Sequence, residues 1–145
     1  MTIAKWVDTN IIVRIITNNP PEQVQQLQGI IHDVETGAVI LKISSLIIAE
    51  TVWVLQKQYS REEIVYALMN LTHMDGVELE EKDIIMDALR DYNARNVDFV
   101  DAYLAAKTRQ HHPDRVLTWN VKDFKKLNVD YDDPGNPPLR KSAEK

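Results

Sequence analysis

The chain contains no cysteine, so a disulfide framework, a thiolate zinc site and a cysteine nucleophile are all excluded. It has no apolar run near the roughly 20 residues needed to cross a bilayer; Arg14, Glu50 and Asp101 break the longest candidates. The N-terminal stretch MTIAKWVDTNIIVRII lacks a signal peptide's order of basic region, long apolar stretch and small-residue cleavage site, and Asp8 interrupts its apolar residues. These absences predict a cytoplasmic protein with no membrane partner. The chain also lacks a basic excess. Its 17 Lys and Arg stand against 22 Asp and Glu, a formal charge of −5, which disfavours general attraction to a polyanion and restricts any nucleic-acid contact to local patches. An acidic excess also arises where carboxylates are concentrated to hold divalent cations, so the sign leaves a metal-dependent enzyme open.

With 145 residues and 44% hydrophobic content, the chain has material for one compact core and too little length for two ordinary domains. Residues 1–131 are read as that domain. The remainder, 132–145, is rich in Pro, Gly and charge with almost nothing to bury, and is expected to be a disordered tail.

Along the chain, Lys5 to Asp8 reads as a strand, followed at once by a helix through the apolar stretch Ile11 to Ile16, with Asn10 available as its cap. After Pro20-Pro21, the spacing of Val24, Leu27, Ile30, Ile31 and Val34 predicts a helix over Glu22 to Glu35, closed by Gly37. Ala38 to Ile43 is a strand. Ser44 and Ser45 are suitable caps for a helix from Leu46 to Gln58, and Ser60 with Glu63 forms a capping-box signature for Arg61 to Thr72. A short strand at Val77 to Leu79, helices over Lys82 to Ala94 and Phe99 to Gln110, a strand at Arg115 to Trp119 and an edge strand at Val129 to Tyr131 complete the pattern. Strands alternating with helices predict an α/β fold, a three-layer α/β/α domain around a mainly parallel four- or five-stranded sheet. Ligands of such sheets bind beyond the carboxyl ends of the strands.

Several carboxylates fall at or near such ends. Asp8 follows the first strand, where it serves either as a helix cap or as a rim side chain. Glu50 lies within Leu46 to Leu55, a helix apolar on nearly every side; a buried carboxylate there must be paired, protonated or metal-bound. Asp98 and Asp101, three apart, share a helix face near the positive end of its dipole, Asp98 suiting an N-cap and Asp101 a first-turn position that presents its carboxylate to a cation. Asp123 follows the Arg115 to Trp119 strand, and also suits the cap of a short helix through Leu127. Among the basic residues around the rim, Arg14, Lys107, Arg109, Lys122, Lys125 and Lys126, Arg14 sits in an apolar segment from which it can engage RNA phosphate or a partner's carboxylate. His111 and His112 close a helix and need no catalytic role.

In order and spacing, Val7-Asp8-Thr9-Asn10, Glu50 on a helix behind a Ser-rich start, Asp98-Phe99-Val100-Asp101-Ala102 and the segment Thr118 to Phe124 resemble the motifs of PIN-domain ribonucleases, especially the short VapC-type toxins of toxin–antitoxin pairs. The likeness runs from about Lys5 to Val129. It implies that Asp8, Glu50, Asp101 and an acidic residue of the last motif hold one or two Mg²⁺ or Mn²⁺ ions. Asn10, Asp98, Thr118 and Asn120 would stand behind those ligands. Where many relatives have Thr, a variable residue and Asp, this chain reads Thr118-Trp119-Asn120, so Asp123 becomes the candidate for the fourth carboxylate and Asn120 a hydrogen-bonding neighbour.

Two carboxylates about 5 Å apart repel by about 3 kcal/mol at an effective dielectric near 20, so four assemble only around a cation. Oxygen ligands with retained waters suit Mg²⁺ and phosphodiester hydrolysis. The resemblance further implies an RNA substrate, a small antitoxin partner and a homodimer. The apolar Ile11 to Ile16 and Leu46 to Leu55 helices offer surplus surface for such assembly. Two other readings stand beside this one: a PIN nuclease that processes RNA without an antitoxin, and a degenerate nucleic-acid-binding or protein-interaction module, kept open by Asn120.

Overall fold

The structure, a computed structural model, describes residues 1–135. The chain forms two compact units, Met1–Lys82 and the residues from Asp83 onward. In the first, strands β1 (Ile3–Trp6), β2 (Val39–Ile43) and β3 (Val77–Leu79) form a parallel sheet in the order β1-β2-β3, with Ile3 opposite Val39 and Leu41 opposite Val77. Parallel neighbours require long crossovers. Helices α1 (Thr9–Thr17), α2 (Pro21–Gln26) and α3 (Gln28–Glu35) carry the chain from β1 to β2, and α4 (Ser45–Leu55) and α5 (Arg61–Thr72) carry it from β2 to β3.

Local chemistry starts α4 and α5 where the sequence places them. Ser44 Oγ accepts the Ile47 N–H at 3.2 Å, and Ser60 and Glu63 satisfy each other's backbone N–H groups in a complete capping box. Val34, Val39 and Leu41 form a buried cluster with Val7, Ile30 and Val77 against it. Gly76 enters β3 at φ +84°, where a Cβ would lie 2.7 Å from Val34 Cγ1, so glycine meets both the backbone and the packing demand.

In the second unit, α6 (Lys82–Arg95) and α7 (Phe99–Gln110) bury Ile85, Ala88, Leu89, Tyr92, Phe99, Ala102, Ala105 and Ala106. Tyr92 and Phe99 meet edge to face, with centroids 6.2 Å apart. Strand β4 (Val116–Leu117) pairs in parallel with β5 (Tyr131–Asp132), and α8 (Val121–Lys126), which buries Phe124, connects them.

The α/β class and parallel pairing agree with expectation, with the strands divided into a three-stranded and a two-stranded sheet. Other differences are local. The helix expected over Glu22 to Glu35 is two helices, because Leu27 N–H bonds to Val24 O and tightens the chain into a turn. Strand β4 is shorter than Arg115 to Trp119: beyond Thr118 the chain leaves the ladder, and Asn120 N–H turns back to Thr118 Oγ1 at 2.8 Å. The last strand is shifted to Tyr131–Asp132, so Asp132, expected to begin the tail, is buried in β5. The rest of that tail from residue 136 lies outside the described residues.

Candidate active site

Asp8 stands exposed just past the carboxyl end of β1, as the strand-to-helix reading places it. It, and not Asn10, is the cap of α1: its extended backbone turns the chain into the helix and Oδ1 accepts the Ile11 N–H at 3.2 Å. Asn10 lies exposed in the first turn. Thr9, beside Asp8, is buried, and its hydroxyl has no hydrogen-bond partner among the described residues. The sequence reading assigned Thr9 no role; its small polar side chain gave no sign of burial.

Glu50 corrects an expectation. It is exposed, not buried. In α4 the inward stripe is Ile48, Thr51, Val52 and Leu55, and at about 100° per residue Glu50 lies about 200° from Ile48, on the opposite side. The same outer face carries the exposed Leu46, Trp53 and Val54, which made the helix look buried all round. Helices α1 and α4 pack together within the first unit, which therefore holds both Asp8 and Glu50.

The second unit holds the other acidic candidates, and here the structure gathers three side chains of the motifs. Asp101 is half-buried in the first turn of α7, and Asp123 is half-buried in the first turn of α8. Asn120 Nδ2 lies between them, donating to Asp123 Oδ2 at 3.0 Å and to Asp101 Oδ2 at 3.3 Å. Thr118 Oγ1 accepts the backbone N–H of Asn120 at 2.8 Å and so fixes the turn that carries the amide. Asp98 occupies the N-cap position of α7 with extended backbone, but its side chain makes no capping hydrogen bond. Asp123 likewise caps nothing; Asn120 holds the N-cap position of α8, again without a side-chain cap.

The electrostatics follow from this crowding. Burial, and after it repulsion from Asp98 and Asp123, raises the pKa of Asp101, while the Asn120 hydrogen bond pulls the other way. Asp123 pairs with Lys126 Nζ at 3.9 Å, and the lysine is exposed, so the ion pair is a weak one. Among the described residues no group of three or more His, Asp or Glu side chains lies at metal-holding spacing. The two carboxylates nevertheless offer hard oxygen donors and carry excess negative charge. That donor set suits Mg²⁺, which keeps several waters and takes one or two carboxylates.

Several basic residues expected to serve RNA are engaged elsewhere. Arg109 is tied into its own unit, donating to Leu127 O at 2.7 Å and Asp91 Oδ2 at 3.0 Å. Lys107 lies over the Tyr103 ring. Arg14 donates to Gln23 Oε1 and lines a 490 Å³ cleft with Thr17, Lys57 and Tyr59. Lys122 and Lys125 are exposed on α8.

The family model described as PIN domain matches residues 5–129. No curated protein matches the chain. Among solved structures, VapBC-1 from nontypeable Haemophilus influenzae, determined at 2.2 Å, is similar over 91% of this chain and 98% of that chain, at 22% identity and a TM-score of 0.33.

Proposed function

Because the chain belongs to the PIN domain family, we propose that it is a Mg²⁺- or Mn²⁺-dependent ribonuclease that hydrolyses RNA phosphodiester bonds and acts as the toxin of a toxin–antitoxin pair. The observation that carries the nuclease reading is the Asp101–Asn120–Asp123 cluster, a pair of carboxylates from two helices brought together by two of the family-like motifs. The toxin assignment rests on the order and spacing of all four motifs. Residues 1–131 act as one nuclease domain on this reading, since the family match spans both compact units.

Asp8, Glu50, Asp101 and Asp123 are the carboxylates assigned to the ion. When bound, it supplies an activated water and offsets charge on the leaving oxygen. Asp101 and Asp123 present oxygens from the first turns of their helices. Thr118 and Asn120 hold the turn between β4 and α8. Lys122 and Lys125, exposed on α8, supply local attraction to RNA phosphate in an otherwise acidic protein. No helix among the described residues is long and apolar enough to cross a membrane, and the proposed place of action is the cytoplasm.

The test is cleavage of RNA by the purified protein. Activity should require Mg²⁺ or Mn²⁺ and vanish with a chelator; undiminished cleavage in excess EDTA sinks the mechanism. Partners are tested separately. The exposed Leu46, Trp53 and Val54 on α4 support a homodimer that binds a small antitoxin. A monomer by sedimentation at micromolar concentration, with no toxicity on expression and no small neighbouring gene, would favour a stand-alone RNA-processing enzyme.

A further inference from the structure

Resting on the metal-nuclease reading above, we infer that Asn120 is a positioning residue that stands in for the cation, holding Asp101 and Asp123 together while the site is free of metal. One nitrogen, Nδ2, reaches Asp123 Oδ2 at 3.0 Å and Asp101 Oδ2 at 3.3 Å. An amide nitrogen carries two hydrogens, so each carboxylate receives one, and both are charge-assisted bonds. The two carboxylates belong to different helices, α7 and α8, and repel each other, with Asp98 adding a further negative charge against Asp101. The residue's backbone is anchored: its N–H is taken by Thr118 Oγ1 at 2.8 Å, which fixes the turn from which the side-chain amide reaches the two acids.

A neutral residue at this place has a consequence that a carboxylate there would not have. Aspartate at 120 would add a third negative charge to the metal-free cluster, and alanine would leave two with nothing between them. Asparagine quiets the cluster without a metal, and it does so by occupying one oxygen of each ligand. A cation drawing on those oxygens must displace the N–H groups. Asn120 therefore stabilises the metal-free protein and opposes metal binding by the same interaction.

Thermal unfolding of the full chain, with EDTA and with saturating Mg²⁺, tests this directly. With EDTA, Asn120→Ala should melt about 2–4 °C below wild type, the shift expected for loss of roughly one net hydrogen bond in a chain of this size. With Mg²⁺ the two proteins should melt together. Mg²⁺ titration should then show Asn120→Ala binding several-fold more tightly. Asn120→Asp should be the least stable with EDTA and gain most from Mg²⁺. In an Asp123→Asn background, the EDTA penalty of Asn120→Ala should shrink, because one of the two acceptors is no longer charged.

An equal loss of melting temperature with and without Mg²⁺ would assign Asn120 a purely structural role and overturn the inference. So would no loss in EDTA, or the absence of any Mg²⁺-induced shift in every variant. Far-UV circular dichroism of Asn120→Ala separates local loosening from failure to fold; an unfolded Asn120→Ala that Mg²⁺ does not restore also overturns it. Failure of the function is read separately. Wild-type RNA cleavage that survives EDTA refutes the metal-nuclease reading whatever the melting curves show.

Discussion

Replacing Asp101 with asparagine should make the metal-free protein slightly more stable and the enzyme inactive, a combination that a structural aspartate does not produce. Asp101 is half-buried on α7 next to the fully buried Ala102, and burial, Asp98 and Asp123 all act against its charge, outweighing the Asn120 hydrogen bond in its favour. Neutralising the group removes the first three effects. It also weakens the fourth, since a neutral acceptor makes a hydrogen bond about half as strong as a charged one. Near-surface charge interactions are worth about 0.2–1 kcal/mol each, so the net gain should be about 0.5 kcal/mol, or roughly 1–2 °C in melting temperature for a chain of this length.

The sign can be checked against pH. A carboxyl whose folded pKa is raised gives its full stability contribution below its ordinary value, near 4, and loses it as pH rises through the folded value. The advantage of Asp101→Asn over wild type should therefore be small in acid and grow as pH rises past that window. Cleavage should fall by more than about 100-fold, because even groups that only orient a metal ligand are worth about 10–100-fold. The assays are thermal unfolding in EDTA across pH and single-turnover RNA cleavage in Mg²⁺. A metal-free Asp101→Asn that melts several degrees below wild type, or one that still cleaves RNA, refutes the reasoning.

Asp8 both caps α1 and is assigned to the ion, and two variants separate the roles: Asp8→Asn should abolish cleavage while keeping the cap acceptor that Ile11 N–H uses, and Asp8→Ala should lose about 1 kcal/mol of stability as well. Equal stability of the two would remove the cap from the account. Glu50→Gln should leave the stability within about 0.5 kcal/mol of wild type, as for any exposed substitution, yet lose cleavage; retained activity would strike Glu50 from the site. Arg109→Ala should cost about 1–3 kcal/mol, because it leaves Asp91 and the Leu127 carbonyl without their donor. If its effect proved to be on RNA affinity at unchanged stability, the structural assignment of Arg109 would be wrong.

What the sequence determined by itself was much of what is set within a turn or two of helix. The Ser60–Glu63 capping box, the Ser44 cap and the limits of α7 were legible because their partners lie three or four residues apart. So was the place of Asp8 after a strand, since a switch from strand to helix is a local event. Tertiary structure decided the rest. Hydrophobicity around α4 could not say which face turns inward; packing against Ile48, Thr51, Val52 and Leu55 leaves Glu50 outside with Leu46 and Trp53. Nor could the spacing of motifs show that Asn120 reaches an aspartate 19 residues away as well as one three residues on. Local hydrogen-bond geometry repeats along any chain with the right residues, whereas which side chains meet across elements depends on how those elements pack.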